Sequence, residues 1–268
     1  MSHRLRGIAL LSRAPAALAS FYVRGLGFAA APDGLTLTLG GGQVRLLPAA
    51  ASAAAYPIPR ASNDPWFQHI AIVVTDMAAA HRRALAQGAV PISIDGPQRL
   101  PDSAGGVTAF KFRDPEGHPL ELLEFPAATC PACWRGRGGG DPCIGIDHSA
   151  IVVADTARSL RFYAMFGFAP TGGSLNRGAE QAALDGLDDP LVAVTALGVP
   201  GSGPPHLELL DYRAPASAHA GAAWAAGDIA ATRLLVEGAA PGLLRDPDGH
   251  FITPAIDPPQ DVTPPGVP

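Results

Sequence analysis

Two imidazole–carboxylate pairs stand at matching places in this chain. His69 opens the apolar run HIAIVV, and Glu121 follows 52 residues later within PLELLEF. His148 opens HSAIVV, and Glu208 follows 60 residues later within PHLELLDY. Imidazole nitrogen and carboxylate oxygen together suit a divalent cation, and the set does not choose among Zn, Ni, Co, Mn and Fe. A glutamate in an otherwise apolar strand is costly to bury unless it is paired or metal-bound. Four such ligands would leave two adjacent positions on an octahedral ion. A substrate with neighbouring oxygens could chelate there, with the metal as Lewis acid.

The pairs recur because the chain repeats. Seven residues after each histidine comes an aspartate, Asp76 or Asp155. An amphipathic segment follows and reaches a glycine nineteen residues after the histidine, Gly88 or Gly167, which suits a helix C-cap. AVPISI, GVTAFKF and PLELLEF then read as short strands separated by turn residues, with RDPEGHP the strongest turn signal. The unit is therefore β-α-β-β-β. Residues 66–125 and 143–213 are two copies. Residues 4–48 are another: FYVRGLGF mirrors FYAMFGF, with Gly7 at the histidine position and Arg45 at the glutamate position. Residues 217–257 form a shortened fourth copy, in which RDPDGHFIT echoes RDPEGHPLE and Thr253 takes the glutamate position. Its opening aligns in two ways, with Gly221 or His219 at the histidine position. Residues 49–65 and 126–142 read as linkers.

Bulk composition excludes several functions. Net charge is −5 with 16% charged residues, which argues against a nucleic-acid or anionic-membrane footprint. No apolar run is long enough for a membrane span. The N-terminal stretch is interrupted by Arg13 and Pro15 and reads as mature protein, not a signal peptide. Cys130, Cys133 and Cys143 do not make a disulfide framework, and a reducing cytoplasm fits. A zinc site there lacks a fourth ligand, so a flexible linker is expected. Lys111 is the single lysine, read here as codon bias. His118 and His250 share the DP[DE]GH turn and read as turn geometry.

The FY…GF helix end, the DPEGHPLEL turn and strand, and the His-start strand resemble the vicinal oxygen chelate superfamily. Glyoxalase I, methylmalonyl-CoA epimerase, fosfomycin-resistance enzymes, extradiol dioxygenases and bleomycin-binding proteins belong to it. The resemblance implies an α+β fold in which four βαβββ modules pair into two cup-shaped mixed sheets with helices outside. It also implies that the metal ligands come from the first and last strands of two paired modules. Carried over, these are His69, Glu121, His148 and Glu208. The outer modules cannot hold a metal, so a complete site requires modules two and three to share one cup and modules one and four to form a metal-free cup. The resemblance further implies a glyoxalase-like lyase or isomerase acting on a small molecule, with Glu208 moving the proton and Glu121 as its symmetric partner. The alternatives are an Fe(II) extradiol dioxygenase, against which Thr253 stands where a carboxylate ligand is needed, and a non-catalytic binding or resistance protein. Asn176, Arg177, Arg113 and His206 are candidates to touch substrate. Monomer and homodimer both fit a chain that carries its own module pairs.

Overall fold

The computed structural model describes residues 3–255. The first repeat runs β1 (Arg4–Ser12), α1 (Pro15–Leu26), β2 (Ala29–Ala30), β3 (Thr36–Leu39) and β4 (Gly42–Pro48). The second runs β5 (Gln68–Val74), α2 (Met77–Ala86), β6 (Val90–Pro91), β7 (Gln98–Arg99), a 3-10 turn at Asp102–Ala104, β8 (Thr108–Arg113) and β9 (Pro119–Glu124). The third runs β10 (Cys143–Val152), α3 (Thr156–Ala164), β11 (Ala169–Arg177), α4 (Ala179–Asp185), β12 (Leu191–Gly198) and β13 (His206–Ala214). The last contributes β14 (Arg233–Glu237), β15 (Leu244–Arg245) and β16 (Phe251–Pro254).

Local chemistry sets these limits. The Asp76 and Asp155 side chains accept the backbone N–H groups of Ala79 and Arg158, capping α2 and α3. Helix α1 starts at Pro15 and ends on Gly27, whose φ of 73° is the left-handed conformation glycine adopts without cost. All seven residues of β5 are buried, as expected of a strand with a neighbour on each side and layers above and below. No helix among the described residues is long and apolar enough to cross a membrane.

The strands form two mixed sheets, so the α+β class holds. The nine-stranded sheet runs β11-β12-β13-β10-β5-β9-β8-β6, with β7 also pairing with β8. The seven-stranded sheet runs β15-β16-β14-β1-β4-β3-β2. Within each repeat the first strand lies parallel to the last: β1 with β4, β5 with β9, β10 with β13 and β14 with β16. The central neighbours β5 and β10 are antiparallel, and so are β1 and β14.

The fourth repeat departs from the βαβββ pattern. No helix separates β14 from β15, only residues 238–243. This corrects the residue assigned to its histidine-equivalent position. In the larger sheet His69 pairs with Ala150, two residues past His148. The same geometry in the smaller sheet pairs Gly7 with Leu235, two residues past Arg233. Arg233 therefore occupies the histidine position. Gly221 and His219 lie before the strand, where His219 Nε2 bonds the Pro59 carbonyl. Counting through an absent helix gave the wrong register. Thr253 pairs with Leu235 and keeps the glutamate position, as Arg45 does opposite Ala9. Gly7 has no room for a ligand: a Cβ there would run into the backbone carbonyl of Gln43.

Buried relays join the repeats in a different pairing. Asp114 Oδ1 accepts the N–H groups of Glu116, Gly117 and His118, closing the turn. Its Oδ2 accepts Tyr22 Oη from α1 at 3.2 Å and faces His118 Nδ1 at 2.8 Å. His118 Nε2 then donates to Leu11 O in β1. The third and fourth repeats copy this with Tyr163, Asp246, His250 and Val152 O. The turn histidines are thus structural clamps between the two sheets. Burial alone would pull the His118 pKa down, but the Asp114 carboxylate outweighs it and raises the pKa.

Asp114→Ala leaves these donors unpaired in the interior. It is expected to lower the unfolding free energy by about 3–5 kcal/mol in denaturant titrations, against about 1 kcal/mol for Tyr22→Phe. Equal small losses for both would show that the relay is not a clamp.

Candidate metal centre

Strand register brings the two pairs onto one face. His148 lies opposite Ala71, and Ala71 is also the parallel partner of Glu121. His69 lies opposite Ala150, and Ala150 is the parallel partner of Glu208. Side chains at i and i+2 of a strand share a face, so His69 sits with Ala71 and His148 with Ala150. All four candidate side chains therefore project from the same side, related by an approximate two-fold axis between β5 and β10.

The resulting distances are short. His69 Nε2 is 3.3 Å from His148 Nε2. Glu121 Oε2 is 3.1 Å from His69 Nε2 and 3.8 Å from His148 Nε2. Glu208 Oε2 is 3.5 Å from His148 Nε2. Ligands about 2.0–2.2 Å from a shared cation lie roughly 3–3.5 Å from one another, so the donor set and spacing fit a metal ion. His69, Glu121 and His148 make the compact cluster, and Glu208 stands slightly further out. Cys130, Cys133 and Cys143 are free thiols.

His148 has a partner that the sequence reading missed. In β10, Ile146 pairs with Ile72 and His148 with Ala71, so Asp147 is the extra residue of a bulge. Bulges break strict alternation, and here Asp147 turns to the same side as His148. Its Oδ2 lies 3.0 Å from His148 Nδ1, and its Oδ1 accepts Trp134 Nε1 at 2.6 Å. Trp134 is buried against Gly145, where a Cβ would collide with the indole. The segment 126–142 is therefore docked onto the site at this point rather than being a free linker. The signal was a lone tryptophan in a stretch of small and polar residues. His69 has no such support, because its buried Nδ1 has no hydrogen-bond partner among the described residues.

The cup is strongly charged. Burial lowers the His69 pKa, and Glu121 only partly offsets this. Burial pulls His148 the same way, but Glu208, Asp147 and Glu121 overcome it and raise its pKa to about 9. Burial would raise Glu208, yet His148 and His206 hold its carboxyl at about 2. Without a cation, His148 therefore carries the proton that compensates its acidic neighbours.

The centre borders two cavities. One, of about 220 Å³, is lined by all four candidate ligands and by Lys111, Asn176 and Gln181. The other, of about 810 Å³, shares Asp147 and Glu208 with it and is walled by Phe125, Phe168, Pro170 and Val199. His206 lies in this second cavity, 3.4 Å from Glu208 Oε1. Asn176 faces the first. Arg177 does not: it is exposed, because neighbouring residues of β11 alternate between inside and outside. Arg113 is also misplaced in the sequence reading. It lies at the end of β8 beside Arg60, Tyr56 and Asp64, where burial and Arg60 lower its pKa to about 10.

Since a ligating histidine must lose its proton, metal affinity is expected to rise about tenfold per pH unit up to about 9, with close to one proton released per cation at neutral pH. Calorimetry in buffers of different ionisation enthalpy measures this; no proton release would contradict it. Asp147→Ala is expected to weaken the affinity about 10–100-fold, and an unchanged affinity would remove its orienting role.

Comparison with known proteins agrees with this architecture. Residues 7–123 match the family model described as Glyoxalase-like domain. Glyoxalase I from Zea mays has a similar structure, with a TM-score of 0.59 and 16% identity over 94% of this chain and 91% of that one. Its V278E variant gives 0.60 at the same identity and coverage. At such identity the likeness is one of fold. No curated protein matches the sequence. The chain therefore carries a glyoxalase-like domain over residues 7–123 and shares the fold of glyoxalase I along nearly its whole length.

Proposed function

We propose that the protein is a metal-dependent enzyme of the glyoxalase type, a lyase or isomerase acting on a small molecule with two adjacent oxygens. His69, Glu121, His148 and Glu208, from units 66–125 and 143–213, would be the ligands. The observation that carries this reading is the 3.3 Å approach of two buried imidazole nitrogens, each with a glutamate beside it. A divalent cation held there would supply a Lewis acid for a substrate oxygen that gains negative charge.

Glu208 is the better proton carrier of the two glutamates. Its side chain is 19% exposed against 7% for Glu121, and it borders both cavities. The charge on His148 is the largest influence holding its carboxyl down. With His148 as a ligand the cation's own charge would take over that influence, so Glu208 would have to swing off the ion to accept a proton. His206, 3.4 Å from Glu208 Oε1, is placed to pass the proton on toward the open cavity. The apolar walls of the larger cavity suit a hydrophobic remainder of the substrate.

A second reading has its own observation. The compact cluster is two histidines and one glutamate, with Glu208 outside it. Two histidines and one carboxylate are also the Fe(II) set of ring-cleaving dioxygenases.

The test is reconstitution with Zn, Ni, Co, Mn or Fe(II), followed by turnover assays on 2-oxoaldehyde–thiol adducts and, with Fe(II), oxygen uptake on catechols. We expect one cation per chain and chelator-sensitive isomerisation. Glu208→Gln should lower kcat by about 10²–10⁴ while retaining the metal. Oxygen uptake on catechols would favour the dioxygenase. Ligand binding with no turnover under any metal would make the protein a binder.

A further inference from the structure

Lys111 is the single lysine of the chain, and it is buried in the cup. It lies on β8 directly opposite Glu121 of β9, so both face the same side of the sheet. Among the residues lining the 220 Å³ cavity it is the only lysine or arginine. Its ammonium donates to Asp185 Oδ1 at 2.6 Å. Asp185 belongs to α4, and its other oxygen already accepts Gln181 Nε2 at 2.7 Å and Tyr212 Oη at 3.0 Å. The carboxylate is thereby fixed, and it draws on one of the three ammonium hydrogens.

The other two hydrogens make no further hydrogen bond among the described residues. The Phe67 ring 5.9 Å away offers a cation–π contact only. Buried donors left without acceptors are costly, and such vacancies in a cavity wall mark where a ligand atom belongs. Two acceptors in the same cavity are also unpaired: Asn176 Oδ1 and Gln181 Oε1. Because Gln181 Nε2 is committed to Asp185, its amide oxygen is the end turned elsewhere. The wall thus offers one cation with spare donors and two amide acceptors, beside the candidate ligands.

We propose that Lys111 is a substrate-binding residue that receives a carboxylate oxygen, so that the substrates are small oxygenated carboxylic acids. The metal reading above supplies the neighbouring contact for the same substrate. The Lys111–Asp185–Gln181–Tyr212 network would hold the ammonium still, so that little side-chain entropy is lost on binding.

The single lysine makes the test direct. Protein grown with lysine labelled at Cε with carbon-13 gives one lysine side-chain signal. Oxalate, added to the chain with and without zinc, is expected to move that signal saturably, while its neutral analogue oxamide leaves it in place. An unmoved signal at high oxalate overturns the proposal whether or not zinc is bound. The paired variant Lys111→Met with Asp185→Asn removes both buried charges and avoids stranding either. In the zinc-loaded form it should lose at least tenfold in oxalate affinity and less than twofold in oxamide affinity. Equal losses for both would mean that Lys111 only braces α4. Failure of zinc to bind the wild-type chain would instead count against the metal reading, leaving the oxalate titration of the metal-free chain to judge Lys111.

Discussion

Three carboxylates and two imidazoles on one buried sheet face are unstable company without a cation. Glu121, Glu208 and Asp147 all line the same cavity as His69 and His148. Like charges in a dry cup repel, and isolated buried carboxylates are costly. In the bare protein a proton on His148 relieves part of this. A divalent cation would relieve more, through direct bonds to the same atoms. The site thus carries an excess of acidic groups that a bound cation would offset. The antiparallel contact of β5 with β10 creates that condition, because it sets His69 and His148 on one face within hydrogen-bonding reach.

Two independent pairings of the repeats hold this contact in place. Sheet hydrogen bonds join the second repeat to the third and the first to the fourth. The buried Tyr–Asp–His relays and the apolar cores join the first to the second and the third to the fourth. One core packs α1 and α2 with β1, β4, β5 and β9, and another packs Tyr163 and Phe168 with Leu207, Leu234 and Ile252. Each repeat is therefore fixed by one neighbour in its sheet and another across the sheet faces. The first and fourth repeats back the sheet that carries the candidate site. Their positions equivalent to the candidate ligands hold Gly7, Arg45, Arg233 and Thr253.

The fold class was legible because the repeat carries its own punctuation. Asp76 and Asp155 mark helix starts, Gly88 and Gly167 sit in the left-handed conformation just past the helix ends, and the DP[DE]GH turns fix the last strand of a repeat. The candidate ligands were legible for a related reason, since a charged residue in an apolar strand is conspicuous. Lys111 in AFKFR is conspicuous for the same reason, a charge within an apolar strand, and codon bias does not account for its place in the cavity wall. Asp147 gave no such signal. Only a bulge, invisible in the residue pattern, turns it beside His148. Trp134 was hidden by its surroundings, a segment whose composition suggested a linker. Arg113 and Arg177 were misread because a strand's parity and a residue's depth along it are set by tertiary register. The fourth repeat was misaligned because a helix used for counting is absent.

The most direct measurement is a crystal structure of the metal-loaded protein with anomalous diffraction at the metal's absorption edge. A single strong peak per chain is expected about 2.0–2.2 Å from the Nε2 atoms of His69 and His148 and from a carboxylate oxygen of Glu121, with Glu208 adjacent. A peak elsewhere, such as at Cys130 and Cys133, or none in the cup, would contradict it.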